Sequence, residues 1–349
     1  MSFNPACLKN ENLGKLVWPL VALFAIVVFN VIFTPGFFNL EIKDGRLFGS
    51  LIDILNRGAP VMLVSIGMTV VYATGGIDLS VGAVIAIAGA VAATIIRPDY
   101  VKGVIEYGEM APLVTVIGVP LLLALLAGLW NGALVAYVGI QPIIATLILM
   151  VAGRGIAQLI TEGKIVVFIH EPFQFIGGGF LLGLPVPIVI VAVMLLVTYL
   201  LTRKTALGLF IEAVGANPKA SQYMGIRAQL IKIATYMFCA LCAGIAGLII
   251  CSDIKAADAN NAGLFLELDA IAAVIIGGTM WGGRFTVAGS MIGALIIQTL
   301  TTTILTRGIA PEVTLVFKAL VIICVALIQS EAFRKILTGR LAKTEAGQS

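Results

Sequence analysis

The residue types that most often carry catalysis or metal binding are sparse in this chain of 349 residues, which holds one histidine and five cysteines. A single imidazole cannot build a His-rich metal cage, and His170 has no Ser or Cys motif beside it to form a triad. Cys239 and Cys242 are spaced as C-x-x-C, but they lie in an apolar run, where small side chains pack between helices. We therefore expect no metal site, no disulfide framework and no enzymatic chemistry.

The stretch GGIDLSVG at 75–82 joins two apolar runs and leaves no room for a loop. The paired glycines Gly75 and Gly76, followed by Asp78, predict a broken helix or a tight turn inside an apolar layer. Two interpretations of Asp78 stay open. Its carboxylate either caps the next helix by accepting hydrogen bonds from free amides, or serves directly as an ionisable group in an apolar region.

Few polar side chains interrupt the apolar runs, and they are candidates for a polar pathway. They are Asn131, Gln141, Arg154, Gln158, Gln298 and Lys318. The candidates for the pathway or for a helix break are Gly75, Gly76, Asp78, Asn131, Gln141, Arg154 and Gln298. Arg154 lies ~9 Å of helical rise from the end of its run, so its guanidinium either reaches the outer interface or faces the pathway. Asn131 and Gln298 either bind solute hydroxyl groups or bridge helices.

The composition shows which elements must position these residues, because 60% of the chain is hydrophobic and only 11% is charged. A soluble chain is expected to carry ~25% charged residues, whereas a membrane span needs ~20 mostly apolar ones. The apolar runs lie at 16–33, 59–73, 79–96, 112–138, 142–160, 185–201, 229–250, 268–279, 286–305 and 313–330. We predict an all-α transmembrane bundle of about eight to ten spans, because some runs are short enough to be half-spans or to extend into their neighbours.

The predicted organisation is a tail over 1–15, a transmembrane domain over 16–330 and a second tail over 331–349. The first run is longer than a signal peptide's apolar core and no small-residue cleavage site follows it, so we expect a retained span. Lys and Arg concentrate at 203–232 and after 330, which predicts that both tails are cytoplasmic. The net charge of +4 is thus a topology signal, and nucleic acid is not an expected partner.

A second glycine-rich break, GGTMWGGRF at 277–285, follows a later apolar block in a comparable place. This placement predicts that the blocks 59–160 and 229–330 are two halves of an internal repeat. The GxxxG pairs Gly128/Gly132 and Gly289/Gly293 place small residues one turn apart, which predicts close helix packing.

The segment 202–228 is the most polar stretch between runs on the predicted inner side. Within it, Asn217 followed by Pro218 predicts a helix start, and Gly225 predicts its stop. Such a short helix would present Tyr223 and Met224 as apolar anchors on a rigid backbone. A solvated loop is the alternative interpretation.

Four stretches, GGIDLSVG, QPIIATL, LGLFIEAVGANPKASQYMGI and ELDAIAAVIIGG, follow one another along the chain. In sequence and order they resemble permease subunits of sugar ABC importers of the ribose, arabinose, xylose and galactose class, in which LGLFIEAVGANPKASQYMGI resembles the cytoplasmic coupling loop. GRLFGSLIDILNRGAP, ILMVAGRGIAQLITEGKIV, LLTRKTALGLFIEAVG and ADANNAGLFLELDAI look most like the galactofuranose branch. The resemblance covers residues 40 to 330 and implies a type II ABC importer permease fold in a bacterial inner membrane.

The resemblance also implies the site residues and the partners. The residues that would couple the chain to an ATP-binding subunit are Glu212, Gly215, Asn217, Pro218, Ala220, Tyr223, Met224 and Gly225. The other implied partners are a second permease chain and a periplasmic sugar-binding protein. The chain departs from the family at Ser221, often a second Ala, and at Arg284-Phe285, often Arg-Gly, of which the latter fits the galactofuranose branch.

The chain contains no GxxxxGK[ST] sequence, so we expect the partner to bind ATP and this chain to bind no cofactor. An ion-driven secondary transporter of a small polar solute, with Asp78 or Arg154 as the coupling charge, is the alternative. Asp78 has no evident acidic partner in the sequence for such coupling. A passive membrane scaffold is disfavoured because it has no need for discontinuous helices.

Overall fold

The computed structural model describes residues 5–33, 37–43, 45–97, 111–308, 313–320 and 323, and for 5–16 and 43 only the backbone. The predicted C-terminal tail and half of the last apolar run lie outside the described residues, as do Cys324 and the side chain of Cys7.

The described part of the chain is mostly helical, as the apolar runs predict. Its helices are α1 (Pro5–Phe33), α2 (Ser50–Ala73), α3 (Val81–Ile96), α4 (Leu113–Ala133), α5 (Pro142–Ile160), α6 (Glu171–Gly178), α7 (Val186–Arg203), α8 (Leu207–Ala216), α9 (Pro218–Tyr223), α10 (Ala228–Ile254), α11 (Leu266–Ile276) and α12 (Val287–Thr306). A π-helical segment, Leu134–Val138, continues α4 and ends at Gly139, whose φ is 78°. Helix α1 begins inside the predicted tail.

The strands are short and form three antiparallel two-stranded ladders. They are β1 (Glu41–Lys43) with β2 (Arg46–Phe48), β3 (Val166–Val167) with β6 (Ala256–Ala257), and β4 (Phe180–Leu181) with β5 (Leu184–Pro185). In the second ladder Val166 is opposite Ala257, so the loop after α5 is joined to the loop after α10. The strands belong to connections and leave the prediction of an all-α fold unchanged.

Six helices in the described residues are long and apolar enough to cross a membrane. These are Ser50–Ala73, Leu113–Val138, Pro142–Ile160, Val186–Arg203, Ala228–Ile254 and Val287–Thr306. Shorter apolar helices occupy Val17–Phe33, Val81–Ile96 and Leu207–Ala216. The short run 59–73 proves to be the end of the longer α2, whereas the run 268–279 corresponds to α11, which has 11 residues.

Helices α2 and α10 form the centre of the bundle. In the most apolar 18-residue stretch of each helix, 83% of the residues of α2 and 67% of those of α10 are buried, compared with 22% in α4, α5 and α7. Burial on all sides requires small or apolar side chains throughout, which explains why α2 is almost free of charge after Arg57. The more exposed apolar helices are suited to lipid or to another membrane protein.

Glycines set the closest helix contacts, as the GxxxG spacing predicts. A Cβ at Gly128 or Gly132 of α4 would overlap the backbone of α10 at Met237 or Ile233. The corresponding glycines of α12, Gly289 and Gly293, pack in the same way against Gly277 and Ala273 at and near the end of α11.

Buried free cysteines also line a contact between central helices. Gly67 of α2 packs against Cys239 and Cys242 of α10, and both thiols are fully buried and unbridged. The predicted packing role of these cysteines is confirmed.

Residues 1–298 and 299–349 are two compact units. In the second unit, the described residues are the end of α12 and a helical segment at 313–320 that includes Lys318. Nothing in the structure tests the predicted internal repeat, which stays a prediction.

Candidate functional site

The segment predicted to be a short helix is helical. Asn217 ends α8 and caps α9, because its Oδ1 accepts a hydrogen bond of 3.0 Å from the amide of Ala220. Pro218 occupies the first helical turn, where its missing N–H costs nothing. Gly225 stops the helix with a φ of 84°, a left-handed conformation that glycine adopts without strain.

Helix α9 presents its apolar side chains to the outside. Tyr223 is 90% exposed and Met224 is 82% exposed, although both carry large apolar groups, and Ala220 is exposed as well. Ser221 points inward, and its hydroxyl donates a 3.0 Å hydrogen bond to the Asn217 carbonyl. The Ser at this position is therefore accommodated within the helix and leaves the exposed face unchanged.

Three glycines bring this segment into contact with both glycine-rich breaks. A Cβ at Gly215 of α8 would overlap the Ala73 carbonyl oxygen at the end of α2 and would lie 2.9 Å from the Gly282 carbonyl carbon. Gly282 donates a 3.1 Å hydrogen bond to the Tyr72 carbonyl, and a Cβ built on it would lie 3.7 Å from Gly75 Cα. We call Gly75, Gly215 and Gly282 the glycine junction.

Aromatic and cationic contacts surround the glycine junction. The Tyr72 ring meets the Trp281 ring edge-on at 4.9 Å, so α2 and the loop 277–286 are joined by side chains as well as backbone. Arg203, at the end of α7, donates a 2.9 Å hydrogen bond to the Phe285 carbonyl and stacks over its ring at 5.6 Å. Phe285 is buried against Ile211 of α8, which gives the Arg-Phe departure a packing role.

A groove of about 580 Å³ opens between α8 and the loop 277–286. Half-buried Glu212 lines one wall, and Arg284 lines the other. Met280 and Trp281 are each about half exposed at its edge. The groove thus combines apolar surface with both signs of charge.

A second polar group lies in the break between α2 and α3, fully buried. Asp78 Oδ1 accepts hydrogen bonds from the Ser80 amide at 2.9 Å and the Ser80 hydroxyl at 2.6 Å. Asn131 of α4 donates from Nδ2 to the Ser80 hydroxyl at 2.8 Å and, more weakly, to Asp78 Oδ1 at 3.4 Å. The Tyr236 hydroxyl of α10 donates a 3.2 Å hydrogen bond to the Ile77 carbonyl.

This arrangement corrects the interpretation of Asp78 as the helix cap. Ser80 holds the N-cap position of α3, and Asp78 lies two residues earlier, where it binds Ser80 rather than the helix's first turn. Gly76 is needed for a different reason, since a Cβ there would contact the Tyr236 hydroxyl. The sequence analysis did not predict that Ser80 and Tyr236 belong to this polar group. The one sequence feature that could have indicated them is a polar side chain inside an apolar run.

Arg154 of α5 does not join the Asp78 group and instead binds backbone carbonyls. Its half-buried guanidinium donates to the carbonyls of Ala262 at 2.6 Å and Ala259 at 3.1 Å, and weakly to the Gly82 carbonyl at 3.4 Å. Gln158, one turn later, donates a 2.8 Å hydrogen bond to Asn260 Oδ1. Helix α5 therefore holds the loop between α10 and α11, and the snorkelling interpretation of Arg154 stays a prediction.

The same loop is held from within by Asp258. Burial raises the pKa of this carboxyl, but hydrogen bonds from the Asn261 side chain and from the amides of Asn261 and Asn260 outweigh that effect. Together with the nearby Arg154 charge, they hold the pKa of Asp258 below its usual value. The loop thus keeps an ionised carboxylate next to Arg154 at neutral pH.

The other predicted pathway residues lie elsewhere in the bundle. Gln141 is exposed at the N-terminus of α5 and its side chain makes no cap. Gln298 is 9% exposed, and its Cγ lies against Gly58 of α2. The structure therefore brings Asp78 and Asn131 together with Gly75 and Gly76 nearby, and leaves Gln141, Arg154 and Gln298 in separate environments.

His170 has a structural role that fits the absence of any triad motif. Its Nδ1 caps α6 by accepting a 3.1 Å hydrogen bond from the Phe173 amide, and its Nε2 lies 3.1 Å from the Ala111 carbonyl. Within the described residues, no group of three His, Cys, Asp or Glu side chains is placed to hold a metal ion.

Six helices that are long and apolar enough to cross a membrane, with buried polar groups at a break between two helices, are typical of a multi-pass membrane transport protein. The chain belongs to the family described as "Branched-chain amino acid transport system / permease component", whose profile matches residues 50–326. The membership inferred from the sequence motifs is consistent with this match, and the relatives below confirm it.

Three relatives align with nearly the whole chain. The galactofuranose transporter permease protein YtfT of Escherichia coli strain K12 is 51% identical over 328 residues, covering 92% of this chain and 93% of that protein. The fructose import permease protein FruF of Bifidobacterium longum is 40% identical, covering 91% and 88%. The ribose import permease protein RbsC of Escherichia coli strain K12 is 34% identical, covering 89% and 92%. No solved structure matches the chain.

Proposed function

We propose that this chain is the membrane permease subunit of an ATP-driven importer that carries a sugar across the bacterial inner membrane. The observation that carries the proposal is the 51% identity to a galactofuranose permease along 92% of the chain. Identity falls to 40% for a fructose permease and 34% for a ribose permease. Galactofuranose is therefore the first substrate to test.

The energy source in this proposal is a separate ATP-binding subunit, and the chain itself is non-catalytic and binds no cofactor. Helix α9 is the docking element, because Tyr223 and Met224 offer exposed apolar anchors on a capped, rigid backbone. A second permease chain, identical or homologous, completes the membrane unit. A periplasmic binding protein delivers the sugar from outside.

The glycine junction supplies the mechanism that links this docking element to the membrane. Since Gly215 touches both Ala73 and Gly282, a displacement of α8 and α9 reaches the end of α2 and the loop 277–286 together. These elements flank α3, α11 and α12, so movement of the ATP-binding subunits shifts the broken helices between two arrangements. Orientation follows from the proposal, with α9 and both termini in the cytoplasm.

The test is uptake of labelled galactofuranose by cells that depend on this chain, expressed with its candidate ATP-binding subunit and binding protein. Uptake should stop when cellular ATP is depleted with the ion gradient intact, and should persist when an ionophore collapses the gradient with ATP maintained. The reverse pattern supports an ion-driven secondary transporter and refutes the proposal. Labelled fructose and ribose in the same assay test the choice of sugar.

A further inference from the structure

Asp78 is a buried carboxyl group whose two oxygens have different surroundings. Its side chain is 0% exposed, and Oδ1 receives all of its hydrogen bonds, from Ser80 and Asn131. Oδ2 is buried and accepts no hydrogen bond from the described residues. Native proteins rarely leave a buried acceptor unpaired, so this oxygen calls for a donor.

A second unpaired acceptor belongs to the same group of side chains. Asn131 uses its Nδ2 to donate to Ser80 and Asp78, while its Oδ1 is buried and has no partner among the described residues. Asn131 is 0% exposed. Two side chains that contact each other thus each have an unpaired acceptor oxygen. A proton on one of these oxygens would supply the donor that both lack.

Among the residues that the structure describes, no positive charge balances an ionised Asp78. The described groups that act on its carboxyl are Ser80 and Asn131, and the titratable groups that face it are Tyr236 and Cys239 of α10. Neither a phenol nor a thiol carries a positive charge in any protonation state. An unpaired carboxylate buried away from water is so unfavourable that the group takes up a proton instead.

We infer that Asp78 is a proton-binding site, and that in this conformation Oδ2 carries a proton and donates it towards Asn131 Oδ1. One proton removes the buried charge and provides a donor where two acceptors lack one. A metal cation fits less well, because hard cations take about six or more oxygen ligands and this cluster leaves two unoccupied.

Because of where Asp78 lies, its protonation depends on the conformation of the break between α2 and α3. Asp78 follows Gly75 of the glycine junction by three residues, so rearrangement of the break changes its access to water. The buried form keeps the proton, and a form that is open to water favours the carboxylate. Proton release is thereby linked to opening of the break.

Infrared spectroscopy of the full chain in lipid nanodiscs at neutral pH tests the inference. The wild type should show the C=O stretch of a protonated carboxyl group, shifted in D₂O, and Asp78→Asn should lose it. Asp53→Asn, at an exposed carboxyl in the first turn of α2, is the matched control and should keep it. Absence of the band in the wild type, or its survival in Asp78→Asn, overturns the inference.

Thermal unfolding separates a proton from a cation. The amide of Asp78→Asn supplies an N–H in place of the O–H, so its midpoint should stay near that of the wild type, and Asp78→Ala should unfold at a lower temperature. The midpoint of the wild type should not depend on whether the salt is sodium or choline chloride. If the wild-type midpoint is higher in sodium chloride than in choline chloride, and the midpoint of Asp78→Asn is lower than that of the wild type, the site binds a cation. That result overturns the inference.

Discussion

At the scale of single residues, the site depends on glycines, whose lack of a side chain permits close backbone contacts. Gly215 has no Cβ, and this lets α8 lie directly on the Ala73 carbonyl at the end of α2. Gly75 and Gly282 add positive φ values of 78° and 59°, which other residues adopt only with strain. Each glycine thus permits a contact or a turn that no other residue type allows.

Replacing Gly215 with Ala should therefore abolish most of the sugar uptake. The added methyl group must push α8 away from α2, and overpacking of this kind typically costs about 1–3 kcal/mol. Docking should survive, because α9 is untouched, so the ATP-binding subunit should still co-purify. Uptake assays and co-purification measure the two effects.

Gly155 of α5 provides the control for Gly215. A Cβ at Gly155 would meet no described atom within 4 Å, and Gly155→Ala should leave uptake at the wild-type level. Equal uptake by Gly215→Ala and Gly155→Ala would remove the junction from the transport mechanism.

At the scale of elements, α9 is too short to be stable from its own hydrogen bonds. It has six residues, whereas isolated helices below ~12 residues are marginal in water. Its order depends on the Asn217 cap, on Pro218 and on the Gly225 stop, together with the continuation from α8. The cap is therefore expected to matter more for this helix than for a long one.

Asn217→Ala should weaken binding of the ATP-binding subunit and reduce uptake. Loss of an N-cap typically costs about 1 kcal/mol, a factor of about five in the population of the ordered helix. Asn217→Ser restores a capping oxygen and should recover most of the binding. Affinity measured with purified components checks the pair, and identical losses in both variants would contradict the role of the cap.

Helix α4 owes its place beside α10 to Gly128. Gly128→Ala should lower the thermal stability of the purified chain, by about 1–3 kcal/mol, because the new methyl group overlaps the Met237 backbone. A Cβ at Gly118 of the same helix would meet no described atom within 4 Å, and Gly118 is exposed, so Gly118→Ala should cause no loss. Thermal unfolding in detergent distinguishes the two substitutions.

At the scale of the whole molecule, exposed apolar surface occurs in two settings. The exposed faces of α4, α5 and α7 are mostly apolar and suit lipid or a second permease chain. Tyr223 and Met224 instead stand on a polar segment with Asn217 and Lys219, where lipid does not explain their exposure. A protein partner does, since exposed aromatic and Met side chains are typical of interfaces.

The double substitution Tyr223→Ser and Met224→Ser should abolish co-purification of the ATP-binding subunit. It removes the apolar anchors without touching the core, so the chain should still insert and purify normally. Leu182→Ser changes a side chain that is 96% exposed on the β4–β5 turn, and it should leave the complex intact. A stable complex with the double variant would exclude α9 as the principal docking element.

Much of the architecture could be predicted from the amino-acid order. Apolar runs and their interruptions predicted each described long helix, because a helix in a membrane must satisfy its backbone internally. Asn217, Pro218 and Gly225 predicted α9, since caps and stops act over only a few residues. The packing glycines were recognised by their four-residue spacing.

The contacts between distant segments were decided by the tertiary structure alone. The sequence shows glycine-rich breaks 200 residues apart, but only packing brings Gly75, Gly215 and Gly282 together. Arg154 likewise had two possible directions until the loop carbonyls at 259 and 262 were placed beside it. Local pattern depends on a residue's near neighbours, whereas the partner of a buried polar group depends on which helices pack side by side, and no short stretch of sequence encodes that choice.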